Sequence, residues 1–119
     1  MSYKVDTTTH FDKEAKRLNK KYKSLKSDLA FLIKELEEKP TLGIPLGNNI
    51  YKIRLAISSK GKGKRGGARV MSYFKIINKT VYLFSIYNKG DKDNISEREI
   101  QALIQNYLSL NNCIYILFE

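Results

Sequence analysis

The order of hydrophobic patterns along this chain predicts an α+β fold: a strand, a helical hairpin, three antiparallel strands and a closing helix. The strands would form a small antiparallel-rich sheet with the hairpin packed on it. Three observations carry that reading. Residues 11–36 repeat apolar side chains at helical spacing, residues 50–87 alternate or run apolar between turn signals, and residues 96–108 return to the helical period. With 119 residues, 42% of them apolar, the chain suits one domain with one core.

Each element has its own warrant. Tyr3 to Thr8 alternates and reads as a strand. Thr9 is then placed to cap a helix, with Asp12 as its capping-box partner, and Phe11, Ala15, Leu18 and Tyr22 form one apolar stripe. A second helix starts near Ser24, carries Leu25, Leu29, Leu32, Ile33 and Leu36, and ends at Lys39-Pro40, since a residue before proline avoids helical angles. Thr41 to Asn49, with Gly43, Pro45 and Gly47, reads as a connection.

Ile50 to Ile57 alternates cleanly. Tyr51, Ile53, Leu55 and Ile57 point one way, and Lys52, Arg54 and Ala56 the other. The glycine-rich stretch from Ser58 to Gly67 is a hairpin loop holding Lys60, Lys62, Lys64 and Arg65. Ala68 to Ile77 is the next strand, with Arg69, Met71, Tyr73 and Lys75 on one face. Asn78-Lys79 turns the chain, and Thr80 to Tyr87 is apolar enough for a central strand covered on both sides. Ser96 and Glu99 make a capping box for the last helix, and Ile95 is placed to staple onto Ile100. The expected domain spans residues 1–108. Residues 109–119, with the turn Asn111-Asn112 and the apolar run Cys113 to Phe118, form a C-terminal extension.

Composition excludes several functions. No apolar run approaches the ~20 residues needed to span a bilayer, and the N-terminus lacks a signal-peptide pattern, so a cytoplasmic protein with no membrane role is expected. Cys113 is the single cysteine, which excludes an intramolecular disulfide and a cysteine-based zinc site. His10 is the single histidine, so no Ser-His-Asp or Cys-His set can be assembled. Asp91, Asp93, Glu97 and Glu99 match no calcium loop, and the glycines at 61, 63, 66 and 67 lead into a strand where a phosphate-binding loop would lead into a helix. Neither a metal nor a small-molecule cofactor is expected.

Charge says the most. The net charge is +10, and residues 52–92 carry eleven Lys and Arg against the single acid Asp91. The remainder of the chain is balanced, so the whole excess sits in one third of it. Parity places Lys52 and Arg54 on the face away from the core, and Arg69 joins them if the strands pair. Tyr73 lies nearby for stacking, and Lys89 and Lys92 follow the last strand. Such a surface suits single-stranded RNA. RNA can be cut without metal or histidine, because its 2′-hydroxyl can attack the adjacent phosphate. Arginines then stabilise the charge that develops on phosphorus, and a lysine crowded by like charges can serve as base, which points to Lys52.

The stretches Leu46-Gly47-Asn48-Asn49-Ile50-Tyr51-Lys52-Ile53-Arg54-Leu55, Gly63-Lys64-Arg65-Gly66-Gly67-Ala68-Arg69-Val70, Ile86-Tyr87-Asn88-Lys89 and Asn94-Ile95-Ser96 resemble the RelE/ParE toxin superfamily, and most of all its HigB-like RelE branch. The resemblance runs over residues 3–108. It implies a RelE-like fold and the toxin of a type II toxin–antitoxin system that enters the ribosome and cleaves translated mRNA. Its implied partners are the ribosome, mRNA and a cognate antitoxin, in this branch usually a helix-turn-helix repressor. It implies catalytic roles for Lys52, Arg54, Arg69 and either Lys89 or Lys92. Lys60, Lys62, Lys64, Arg65, Tyr73, Tyr87 and Lys92 are the expected RNA and ribosome contacts. RelE toxins also use a tyrosine near the C-terminal end. The matching region here holds Ile95 and Ser96, so Tyr87 or Tyr73 would have to replace it. Two alternatives share this fold and charge: a ParE-like gyrase inhibitor and a non-catalytic basic RNA-binding module.

Overall fold

The structure, a computed structural model, describes residues 3–61, 63, 66–90 and 95–104. Lys62, Lys64, Arg65, Lys92, the end of the last helix, the Asn111-Asn112 turn and the Cys113–Phe118 run lie outside the described residues. The elements are β1 (Lys4–Thr7), α1 (Thr9–Lys21), α2 (Leu25–Glu38), β2 (Ile44–Gly47), β3 (Ile50–Leu55), a 3₁₀ turn (Ser58–Lys60), β4 (Ala68–Lys75), β5 (Thr80–Asn88) and a helical stretch over residues 97–104, called α3 here. They form one mixed sheet in the order β1-β5-β4-β3-β2, with β1 parallel to β5 and all other neighbours antiparallel. The α+β class and the expected element order hold.

One strand is additional. The segment read as a connection contains β2, which pairs with the start of β3 at the sheet edge. All four of its residues are exposed, so it has no buried face to impose an alternating pattern. Pro45 fits there because an edge strand tolerates a missing N–H. The link to β3 is Asn48-Asn49, with φ of 53° and 64°. Two successive left-handed residues suit the right-handed twist of a hairpin, and asparagine adopts that conformation at low cost.

Other boundaries moved by a residue or two. Thr8, not Thr9, caps α1: its backbone is extended and its hydroxyl accepts the Phe11 N–H at 3.2 Å. The strand expected to reach Ile77 stops at Lys75. Residues 76–79 make the turn, closed by Lys79 N–H donating to Ile76 C=O at 3.2 Å, and Ile76 and Ile77 are left exposed. Ser96 does cap α3, accepting the Glu99 N–H at 3.1 Å, and Ile95 packs on the cluster that contains Ile100.

The central strands of the sheet are packed on both faces. On one face α1 and α2 lay Phe11, Leu25, Leu32 and Leu36 against Ile53, Val70, Val81, Leu83 and Ile86. On the other, α3 lays Ile100 against Ile50, Met71, Phe84 and Tyr87, with Leu103 and Ile104 beside it. Every residue of β5 is buried, as an interior strand between two layers requires. The β4–β5 register slips beside Met71, pairing it with Ser85 while Ser72 pairs with Leu83. At this bulge the Ser85 hydroxyl and the Ile86 N–H both donate to Glu14 Oε1 of α1, each at 3.1 Å.

Asp28 ties α2 to the 3₁₀ turn. Its carboxylate accepts the Ser58 N–H (2.9 Å), the Ser58 hydroxyl (2.6 Å) and the Ser24 hydroxyl (2.8 Å). Burial acts to raise its pKa, but these hydrogen bonds outweigh it and hold the carboxyl below its usual value. A carboxyl with a depressed folded pKa stabilises the fold above its unfolded value of about 3.9, and that contribution disappears as pH falls through the folded value. Asp28→Asn is therefore expected to cost about 1–2 kcal/mol near neutrality. The gap between the two urea midpoints should shrink once pH drops below about 4. A gap independent of pH would refute the assignment.

Candidate nucleic-acid interface

Strand pairing, more than sequence proximity, assembles the cations. Arg54 of β3 lies directly opposite Arg69 of β4, and Arg69 lies directly opposite Tyr87 of β5. The three form one row across the sheet on the α3 side. One step along β3 on the same face, Lys52 pairs with Met71. The alternation that separates Ile53 and Leu55 from Lys52 and Arg54 thus puts the cations on the side opposite the helical hairpin.

This face is less open than its charge pattern suggests. Arg69 is only 5% exposed, and its guanidinium donates to the Ala68 carbonyl at 3.2 Å. Lys52 is half-buried, while Arg54 is exposed. The same face also carries the second core cluster: Ile50, Met71, Phe84 and Tyr87 share it with the cations, and Ile100 of α3 packs on that cluster. Like charges directly opposite each other in a sheet are unfavourable. The Arg69 pKa is accordingly lowered, first by burial and then by the Arg54 charge, with Tyr87 acting in the opposite sense. An arginine in such a place keeps its proton and its full set of N–H donors.

The remaining expected contacts divide by side of the sheet. Tyr87 is buried and Tyr73 half-buried in the same apolar cluster, so their rings pack inside the protein rather than on its surface. Lys89 follows β5, and its N–H donates to Gly67 C=O at 3.1 Å, which holds the strand end beside the start of β4. Lys60 turns to the other side: its ammonium donates to Asn88 Oδ1 at 2.8 Å and lies 5.1 Å from the centre of the Tyr22 ring. Asn88 in turn donates to the Tyr22 hydroxyl at 3.1 Å, so Lys60 belongs to the hairpin side and not to the arginine row. His10 pairs with Glu14 on α1 at 3.0 Å, again on the hairpin side. Among the described residues no group of His, Cys, Asp or Glu is arranged to hold a metal ion, and no helix is long and apolar enough to cross a membrane.

Two depressions flank Lys52. One, of about 720 Å³, lies between α2 and the edge of the sheet. Lys52 and Arg54 line it together with Phe31, Leu42 and Ile44. The other, of about 310 Å³, lies between the β2–β3 turn and α3. Sequence reasoning missed this second cleft, because the turn and the helix meet only in the folded sheet.

Comparison with solved structures finds the same architecture. The isolated RelE toxin of E. coli superposes with a TM-score of 0.57 at 19% identity, over 87% of this chain and 98% of that one. A double arginine-to-alanine mutant of E. coli RelE in the free state gives 0.57 at 19%, over 78% and 90%. A chain of the RelBE2 toxin–antitoxin complex of Mycobacterium tuberculosis gives 0.56 at 20% identity, over 74% and 99%. At these identities the structures speak for the fold. The sequence also matches the family model described as RelE toxin of the RelE/RelB toxin–antitoxin system over residues 4–112. A match over that much of the chain settles membership: this protein belongs to the RelE toxin family.

Proposed function

We propose that this toxin is a metal-independent mRNA endoribonuclease that acts on translated mRNA in the ribosome. The observation that supports this most is the Arg54–Arg69 pair, two guanidinium groups set opposite each other on a half-covered sheet face. The proposed chemistry is attack of the ribose 2′-oxygen on the adjacent phosphorus, with cleavage of the bond to the 5′-oxygen. Lys52 takes the 2′-hydroxyl proton. Arg54 and Arg69 bind the phosphate oxygens as negative charge grows on them, and the Lys89 ammonium is the group proposed to reach the leaving side and give the 5′-oxygen its proton. The products are a 2′,3′-cyclic phosphate and a 5′-hydroxyl. The ribosome supplies the in-line arrangement of the nucleotides.

The proposed location is the cytoplasm, and the proposed partner is a cognate antitoxin, a helix-turn-helix repressor of the HigB-associated kind. Exposed Phe31 of α2 and Ile44 at the open sheet edge line the larger groove and support a protein partner there, since apolar side chains gathered around a groove are sites of association.

Primer extension on translated mRNA after induction tests the reading. Cuts in phase with codons, together with growth arrest, are expected. Intact mRNA accompanied by DNA damage would replace the nuclease with a gyrase inhibitor. Efficient cutting of naked RNA by purified protein would remove the ribosome from the proposal.

A further inference from the structure

The cleft of about 310 Å³ beside Lys52 is at the small end of ligand-sized pockets. Its walls are unlike the rest of the cationic face. Leu46, Ile50, Ile95 and Ile100 supply apolar surface, and Asn48, Glu97 and Gln101 supply a polar rim. Asn48 stands on the β2–β3 turn, while Glu97 and Gln101 stand one turn apart on α3. Apolar walls with hydrogen-bonding groups along one side match a planar heterocycle, whose faces are apolar and whose edge is polar.

Its position relative to the phosphate site is also suitable. Ile50, Lys52 and Arg54 follow one another along one face of β3. Each step of two residues is about 7 Å, comparable with one nucleotide of extended chain. A phosphate held at Arg54 and Arg69 therefore leaves a neighbouring base beside the cleft.

Glu97 is the anomaly that points to a base. It is an exposed acidic residue on a cleft that Lys52 also lines, in a protein of net charge +10. Helix-start electrostatics favour an acid in the first turn of α3. They do not account for its sharing a cleft with Asn48 and Gln101. A carboxylate there repels phosphate and can only accept hydrogen bonds, so it favours a ligand that brings N–H donors into the cleft.

We infer that this cleft receives one nucleobase of the bound RNA and that Glu97, helped by Gln101, selects bases carrying an exocyclic amino group against uracil. Adenine, cytosine and guanine each present such an amino group. Uracil presents a single N–H flanked by two carbonyl oxygens, and those oxygens face the carboxylate unfavourably. The inference rests on the RNA reading of the neighbouring arginines and adds to it a specificity-determining residue.

The test uses labelled cytidine and uridine trinucleotides, too short for extended self-stacking, whose bases differ in an amino group against a carbonyl at position 4 and in an acceptor against an N–H at position 3. Wild-type protein is expected to bind the cytidine oligomer at least about fivefold more tightly at low salt. Glu97→Gln, an isosteric change at an exposed site, is expected to bring the ratio close to one, because its amide offers uracil a donor. Equal binding by the wild type, or an unchanged ratio in Glu97→Gln, overturns the inference. Cut-site mapping on translated mRNA runs alongside. A uracil-depleted position at a fixed offset from wild-type cuts, relaxed in Glu97→Gln, supports it, and cuts without such a position overturn it. If the wild type cuts nothing yet still discriminates between the oligomers, the nuclease reading fails and the base-binding cleft stands.

Discussion

Arg69→Ala is expected to lower mRNA cleavage by about 10²–10³-fold and to relieve growth arrest. Arg69 is the middle member of the Arg54–Arg69–Tyr87 row, and it is nearly inaccessible in the free protein. A guanidinium held in low-dielectric surroundings, with its pKa pulled down by burial and by Arg54, gains more from a phosphate than an exposed cation would. Arg69→Lys should rescue poorly, because a point charge cannot supply two parallel N–H contacts. The Arg54→Ala/Arg69→Ala double variant should be little worse than Arg69→Ala alone, since the two act on one phosphate and groups that act as a unit are strongly non-additive. Primer extension reads the cutting, and thermal melting of the same variants separates loss of function from loss of fold. A well-folded Arg69→Ala protein that cuts normally would remove this residue from the site.

A second substitution is expected to act through the backbone. A Cβ added at Gly67 would lie 2.0 Å from the Leu55 carbonyl oxygen and 3.0 Å from the Ile57 nitrogen. No rotamer can relieve a clash with main chain, so β3 and β4 must separate where their hairpin begins. Gly67→Ala is expected to destabilise the protein by about 3 kcal/mol or more, at or beyond the upper end for overpacking. Gly67 C=O also holds the Lys89 N–H, and Gly67 precedes Arg69 by two residues, so the same shift disturbs the arginine row. Urea denaturation checks the stability, and growth arrest under tight induction checks the function. Gly63→Ala is the contrasting control: its φ of 64° costs an alanine some strain, but nothing lies within 4 Å of its Cβ position. Near-equal loss of stability in the two variants would contradict the steric argument.

How far the amino-acid pattern reached depended on how local the physics was. The stripes of α1 and α2, the Ser96 cap with its Ile95–Ile100 staple, and the parity of β3 follow from residues within a few positions of one another. All of them appear in the structure. β2 was missed because both its faces are exposed, so no burial pattern marks it. Its one signal was Asn48-Asn49, a pair suited to the left-handed hairpin turn it makes. Lys60 illustrates the opposite limit. Its charge is plain in the sequence, but its direction is set by Asn88 and Tyr22, residues 28 and 38 positions away along the chain.

What the sequence determined by itself was the fold class, the family and a cationic segment holding the whole net charge, because composition and periodicity are properties of the chain. Tertiary structure alone decided where those cations are placed. Strand register sets Arg54 against Arg69, the packing of α3 on the second core cluster buries Tyr87, and the approach of α3 to the β2–β3 turn creates the cleft around Glu97. Burial and register depend on contacts between residues distant in the chain, and those contacts turn a list of lysines and arginines into two guanidinium groups placed around one site.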